Sequence, residues 1–142
     1  MNEKHAGRIT QADIMSDPYG YTFQEMVEGI GRQEAEKLFP TLYRGQPQKK
    51  HQTLTVKALH RGGDTQKVVY ELSDGKLVET VYIKRRDGAT VCVSTQVGCP
   101  VGCIFCESGR NGFVRNLTPS EIVQQIILLR KKVNRIVFMG MG

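Results

Sequence analysis

Thr90-Val91-Cys92-Val93-Ser94-Thr95-Gln96-Val97-Gly98-Cys99-Pro100-Val101-Gly102-Cys103-Ile104-Phe105-Cys106 carries all four cysteines of the chain. Its front half is rich in β-branched residues and reads as a strand over residues 90–94, because such side chains suit a pleated, half-buried surface. The strand runs directly into a loop in which three and then two residues separate Cys99, Cys103 and Cys106. Crowding of four thiols into one short segment is what a cofactor site needs, whereas structural cysteines scatter among several elements. The first residues, Met1, Asn2, Glu3, Lys4 and His5, are too polar for the apolar part of a secretion signal. A disulfide framework is therefore not expected, and metal binding or thiol chemistry is.

The spacing departs from a zinc ribbon, which pairs two knuckles, and from the bacterial ferredoxin run. Three thiolates suit a [4Fe-4S] cluster in which one iron is left to a ligand that is not protein. Two plainer readings stand beside this one. A four-cysteine zinc site would have to recruit Cys92, which lies on the strand and not in a second knuckle. A redox pair of Cys103 and Cys106 would leave Cys99 unexplained.

Downstream, Thr118 as N-cap, Pro119 at the first helical position and Glu121 three residues after Thr118 announce a helix. Ile122, Ile126 and Leu129, with Val123 and Ile127 beside them, are its expected buried face. Residues 136–139 read as a buried strand that ends in Gly140-Met141-Gly142, small residues past a strand that let a ligand approach the backbone. A plain strand-to-helix turn is the simpler reading of that run. The order strand, loop, helix, strand is the beginning of a βαβ unit and predicts a parallel sheet.

Upstream, residues 68–72 and 77–83 flank Ser73-Asp74-Gly75-Lys76 and predict a β-hairpin, with Glu79 on its second strand. A further strand begins at residue 53 and turns at Arg61-Gly62-Gly63-Asp64. Phe23, Met26, Val27 and Ile30, then Ala35, Leu38, Phe39 and Leu42, fall at helical spacing and predict two short helices joined near Gly29 and Gly31. Residues 47–52 turn polar and basic, as a linker would.

With 142 residues and 39% apolar content the chain can bury one core, which predicts a single globular unit or one with a small appendage. It contains no apolar run long enough to span a bilayer, so no membrane association and a cytoplasmic location are expected. A net charge of +6 favours a polyanionic partner, because clustered cations gain affinity by releasing phosphate counterions. The basic groups gather at residues 44–51, 84–86 and 130–135, and solvated surface faces account for them equally well.

Several linked motifs carry a specific resemblance. Cys92-Val93-Ser94-Thr95-Gln96-Val97-Gly98-Cys99, the cysteine triplet, Arg115-Asn116-Leu117-Thr118 with Glu121-Ile122, and Met139-Gly140-Met141-Gly142 together resemble the RlmN/Cfr family of radical S-adenosylmethionine (SAM) RNA methyltransferases. Leu72-Ser73-Asp74-Gly75 and Val78-Glu79-Thr80-Val81 extend the likeness upstream, so that it runs from about residue 64 to residue 142. Ala35, Leu38-Phe39 and Leu42-Tyr43-Arg44-Gly45 are weakly similar to the family's helical RNA-binding domain, shortened here. The resemblance implies an α/β fold, the start of a radical SAM partial (β/α)6 barrel preceded by a β-hairpin and a small helical N-terminal domain. The expected division is residues 1–52 for the helical accessory domain and 53–142 for the front of the radical SAM core.

The resemblance also implies chemistry. Family members methylate an adenine ring carbon of RNA, a centre too poor as a nucleophile for direct displacement. One SAM methylates a cysteine near the C-terminus, a second yields the radical that activates it, and a covalent RNA adduct follows. By position, Cys99, Cys103 and Cys106 correspond to the ligands of the [4Fe-4S] cluster, Glu79 to the proton acceptor and Cys92 to the thiol whose disulfide releases product. Gly140, Met141 and Gly142 correspond to SAM contacts, and Phe105 to a residue beside the cluster or the adenine of SAM. For Glu79 an outward-facing strand carboxylate, and for Phe105 a core aromatic, are the simpler alternatives. Arg110 and Arg115 could equally meet phosphate or solvent.

The implied partners are 23S rRNA, with tRNA as a second substrate, and an electron donor such as flavodoxin, the protein itself acting as a monomer. Carbon 2 of adenine is favoured by Gln96-Val97-Gly98, while Ser108-Gly109 departs from the pattern expected for that specificity. A carbon-8 methyltransferase and a small iron-sulfur or zinc RNA-binding module remain the alternatives. No cysteine follows Cys106, so the family's methyl-carrying thiol is absent and the chain is read as a fragment inactive in methyl transfer.

Overall fold

The computed structural model describes residues 8–44 and 51–142, which fall into two compact units divided between His51 and Gln52. Most of the predicted linker therefore lies outside the described residues.

The first unit is helical. Helix α1 spans Gln11–Ser16, α2 Phe23–Ile30 and α3 Arg32–Arg44. The sequence pattern missed α1, which is short and carries a single buried residue, Ile14. Thr10 and Thr22 start α1 and α2 with reciprocal capping boxes to Asp13 and Glu25, each satisfying amide groups that have no partner within the helix. The expected junction is found at Gly31, which ends α2, whereas Gly29 lies inside it. Phe39 on α3 packs edge-on against Phe23 on α2, with ring centroids 5.5 Å apart, and in a tilted arrangement against Tyr43, at 4.8 Å.

The second unit is built on a five-stranded mixed sheet. Strands β1 (Thr55–Gly62), β2 (Thr65–Glu71), β3 (Leu77–Arg85) and β4 (Gly88–Cys92) form an antiparallel meander. Strand β7 (Arg135–Val137) joins β4 in the parallel sense, giving the order β1-β2-β3-β4-β7. The predicted hairpin forms as expected, with Val69 opposite Glu79. The expectation of a parallel sheet holds for one pairing only. Short connections between residues 62 and 88 force antiparallel neighbours, and only the 42-residue excursion between β4 and β7, which contains a helix, allows a parallel return.

Two short strands, β5 (Gln96–Gly98) and β6 (Phe113–Asn116), pair antiparallel and close the base of the cysteine-bearing loop. Helix α4 (Pro119–Ile127) follows, capped as predicted by Thr118 and Glu121. It covers one face of the sheet, where Val68, Tyr70, Val78, Val91 and Val93 form the core and Ile122 and Ile126 pack against them.

Two expectations are corrected here. The fully buried residues of α4 are Ser120, Glu121, Gln124 and Gln125, whereas the predicted apolar face is only partly covered, apart from Leu129 just beyond the helix. The polar side chains win the interior because each amide is used: Gln124 meets the Thr53 backbone and the Ser120 hydroxyl, and Gln125 meets Thr80 of β3 and Ser94 just past the end of β4. Residues 136–139 are also not buried, for Ile136, Phe138 and Met139 are 50%, 66% and 77% exposed. Strand β7 is the last strand of the sheet and has a neighbour on one side only.

Candidate functional site

The cysteine loop is anchored at its neck. The Cys99 amide donates to the Gly112 carbonyl at 3.2 Å, and Gly98, at φ +72°, passes so close to that carbonyl that a Cβ would collide with it. Glycine is therefore required at position 98 for two reasons, backbone conformation and close approach. Farther out, the Cys106 amide donates to the Cys103 carbonyl at 3.0 Å, closing a tight turn that contains Ile104 and Phe105.

Those two apolar side chains are 97% and 89% exposed. Phe105 is thus not a core aromatic in this chain. Cys103 is exposed, Cys99 and Cys106 are half-buried, and all four cysteines are free thiols. Among the described residues no three Cys, His, Asp or Glu side chains converge as a ready metal-binding group. The donor chemistry of the loop still fits an iron-sulfur cluster. Three thiols lie within one loop whose tip is held by turns and not by packing, and none is consumed in a disulfide.

Strand register brings the other two candidates together. Val81 faces Cys92 across β3 and β4, so Glu79, two residues along β3, shares that face and is a diagonal neighbour of Cys92. Val78 and Thr80, on either side of Glu79 in the strand, point to the opposite, fully buried face beneath α4. Cys92 is the last residue of β4, half-buried, and stands opposite Val137 of β7.

Glu79 is an outward-facing carboxylate, but it has a partner. Lys67 Nζ lies 2.9 Å from its Oε1, with both side chains 41% exposed. Sequence reasoning missed Lys67, because only the pairing of β2 with β3 sets the two side by side on one face of the sheet. Both residues line a cleft of about 550 Å³ that also takes in Met141, Gly98, Ser108 and Gly112. Of the expected site residues, then, Glu79 and Met141 meet in one cleft, bordered by the neck of the cysteine loop. Cys92 and the three loop cysteines are not in its lining.

The run Gly140-Met141-Gly142 is zipped to the chain that leads out of β4. The Gly140 amide donates to the Val93 carbonyl at 3.1 Å, and the amides of Thr95 and Gln96 donate to the Met141 carbonyl at 2.9 and 3.1 Å. A Cβ on Gly140 would stand 2.6 Å from Ser94 Oγ and 2.8 Å from backbone. The small residue at this position serves the close approach of its own chain.

Ser94 is the hub that the sequence did not reveal. Its hydroxyl donates to the Glu79 carbonyl at 2.7 Å and accepts the Met141 amide at 3.0 Å. Buried Gln125 fixes Ser94 in turn, accepting from its amide and donating to its carbonyl, both at 2.9 Å, while also accepting from the Thr80 hydroxyl at 2.8 Å. Two adjacent amide side chains in an apolar helix were the available signal.

Arg115 does not contact solvent alone. It grips Glu121 with two hydrogen bonds of 2.9 Å and Asp74 with a third of 2.9 Å, tying β6 to α4 and to the hairpin turn. Burial raises the Glu121 carboxyl, but Arg115 and the Thr118 amide outweigh it and hold the group below its ordinary value. Arg110 pairs with Glu107 at 3.0 Å on the exposed loop.

No family model matches the chain. It is 52% identical over 90 residues to a probable RNA methyltransferase of Rhodopseudomonas palustris, a match that covers 63% of the chain and 25% of that protein. A dual-specificity RNA methyltransferase RlmN from Magnetococcus marinus is 52% identical over 85 residues, covering 55% of the chain and 24% of the relative. The crystal structure of a radical SAM methyltransferase from Sphaerobacter thermophilus superposes with a TM-score of 0.76 at 31% identity, over 89% of the chain and 47% of that structure. The chain spans about a quarter of the length of the curated relatives it matches. These likenesses bear out the resemblance read from the motifs: the homologues are RlmN-type RNA methyltransferases, and the α/β fold with its mixed sheet is similar to part of a radical SAM methyltransferase.

Proposed function

We propose that this chain provides the front part of a radical SAM methyltransferase acting on an adenine carbon of RNA, carbon 2 in preference to carbon 8. Its substrates are 23S rRNA and tRNA, its setting the cytoplasm, its state a monomer, and its electrons come from a flavodoxin-like donor. The observation that carries the reading is the cleft in which Glu79 and Met141 meet beside the neck of the cysteine loop. Glu79 and Cys92 share one face of the sheet, and the half-identical relatives named as RNA methyltransferases add weight.

In this reading Cys99, Cys103 and Cys106 hold a [4Fe-4S] cluster, and Gly140, Met141, Gly142 and Phe105 contact SAM. When bound, the two cofactors supply the one-electron chemistry that an adenine carbon requires. Each residue of the chain then has a defined task. The cysteine loop presents three thiolates and withholds a fourth protein ligand. Glu79 accepts a proton from the modified base, and Lys67, 2.9 Å away, orients that carboxylate. Cys92, one strand over, is the thiol that takes part in product release. Residues 1–52 are the accessory RNA-binding part. No cysteine follows Cys106, so the 142-residue chain alone is expected not to methylate RNA.

Anaerobic reconstitution with iron and sulfide, followed by Mössbauer spectroscopy and an assay for reductive SAM cleavage, tests the reading. A cubane cluster with one distinct iron site, lost in Cys99→Ala, Cys103→Ala and Cys106→Ala, is expected. Zinc at one per chain with no visible absorption would overturn it in favour of a structural metal module.

A further inference from the structure

Two of the basic runs in the sequence converge in space. Lys84 lies at the end of β3 and Lys131 follows α4, yet both line a cleft of about 350 Å³ together with Arg61 near the end of β1. The β1–β2 turn forms its wall through Gly63, Asp64 and Thr65.

Several other cations of this unit are neutralised by carboxylates. Lys57, Lys67, Arg110, Arg115 and Arg135 each meet a carboxylate within ion-pair distance. Among the described residues no such pair involves Arg61, Lys84 or Lys131. Asp64 is the one carboxylate in the lining, so the cleft carries a net positive charge. Lys131 is held in place, donating to Gln66 Oε1 at 2.6 Å with its ammonium 4.2 Å above the Tyr82 ring. A pre-positioned ammonium loses less side-chain entropy on meeting an anion than a free one does. Gathering three like charges in a concavity is unfavourable unless an anion fills it.

Tyr82 and Lys84 alternate with Glu79 along β3, so this cleft lies on the opposite face of the sheet from Glu79. Whatever binds there is remote from the chemistry. From this we infer that the cleft is a docking site for the phosphodiester backbone of the RNA, engaging two or three phosphates away from the target adenine. The inference rests on the RNA reading given above for its ligand, and on the convergence of Arg61, Lys84 and Lys131 for its location.

The experiment is a fluorescence-anisotropy titration of a labelled RNA hairpin with the 142-residue chain over a range of salt concentrations. A triple variant, Arg61→Gln, Lys84→Gln and Lys131→Met, keeps the aliphatic stem over Tyr82. It is compared with a control that removes three charges of the same unit outside the cleft, Lys57→Gln, Arg85→Gln and Arg135→Gln, and thermal melting checks the fold of both. The cleft variant is expected to bind at least tenfold more weakly, and its log-affinity against log-salt slope to fall by about two, at roughly 0.7–0.9 per lost phosphate contact. Iron loading of the cysteine loop is expected to stay unchanged. Equal losses in both variants would overturn the docking site and leave the RNA substrate standing. Loss of RNA affinity on adding inorganic phosphate at matched phosphate concentration would mark a small-anion site instead. Absence of RNA binding by the unsubstituted chain would overturn the docking site, while the methyltransferase reading is judged separately by its cluster and SAM cleavage.

Discussion

Gln125 holds Ser94 by both of its backbone groups, as a neighbouring strand would, although it reaches in from a helix 31 residues away. Its amide oxygen accepts from the Ser94 N–H and its amide nitrogen donates to the Ser94 carbonyl, both at 2.9 Å. Sheet pairing is thereby carried past the end of β4, to the point where the chain must leave for the cysteine loop. Because the Ser94 hydroxyl also joins Glu79 to Met141, one buried amide sets the relative position of three parts of the cleft.

Replacing Gln125 by leucine keeps the volume and removes every one of those bonds. The Thr80 hydroxyl and both backbone groups of Ser94 would lose this partner in the interior, at a cost of roughly 1–3 kcal/mol for each group left unsatisfied. Urea unfolding of Gln125→Leu is expected to show destabilisation of about 3 kcal/mol or more. Ile122→Val, on the partly exposed apolar face, should cost no more than about 1 kcal/mol. Similar values for the two would mean that the amide network contributes little.

Acid stability is expected to depend on the Arg115 cluster. Asp74 is held below its ordinary value of 3.8 by the Arg115 hydrogen bond, and Glu121 below 4.5 because Arg115 and the Thr118 amide outweigh burial. A carboxylate depressed in the folded state contributes stability that is complete above its unfolded value and is lost as pH falls through the folded one. The unit should therefore be insensitive to pH from neutrality to about 5 and weaken below about 4. Arg115→Ala is expected to lower stability at pH 7 and to flatten that acid limb, measured by thermal melting from pH 3 to pH 7.

Thiol accessibility should rank the cysteines. Cys103 is exposed while Cys92, Cys99 and Cys106 are half-buried. Brief alkylation of the metal-free chain, read by peptide mass spectrometry, is expected to modify Cys103 first. After anaerobic iron and sulfide loading, Cys99, Cys103 and Cys106 should be protected together and Cys92 should not. Protection of all four would point to the zinc arrangement that recruits Cys92.

The neck of the loop offers a sharper test. Gly98→Ala places a methyl group against the Gly112 carbonyl at a φ of +72° that L side chains rarely adopt. The sheet is expected to survive, with unchanged circular dichroism, while iron loading falls several-fold because Cys99 is displaced. Gly102→Ala, which meets no neighbour within 4 Å, isolates the backbone effect from the collision.

Near neighbours in the chain govern what could be read from the residues before any contact was known. The Thr118 capping box, the hairpin around residues 73–76 and the spacing of Cys99, Cys103 and Cys106 all follow from residues within a few positions of one another. Such signals are local, because a helix start or a tight turn is settled by backbone groups that need a partner within one turn of chain. Tertiary structure alone decided the faces and the long-range partners. Whether Glu79 and Cys92 share a surface depends on the register of β3 with β4, and a slip by one residue would have separated them. Lys67 beside Glu79, the convergence of Arg61, Lys84 and Lys131, and the exposure of Phe138 and Met139 likewise depend on pairings across the sheet. Hydrophobic periodicity assigned the interior of α4 to isoleucine and valine, and Gln124 and Gln125 took it because hydrogen-bond partners waited there from residues as far as 71 positions away.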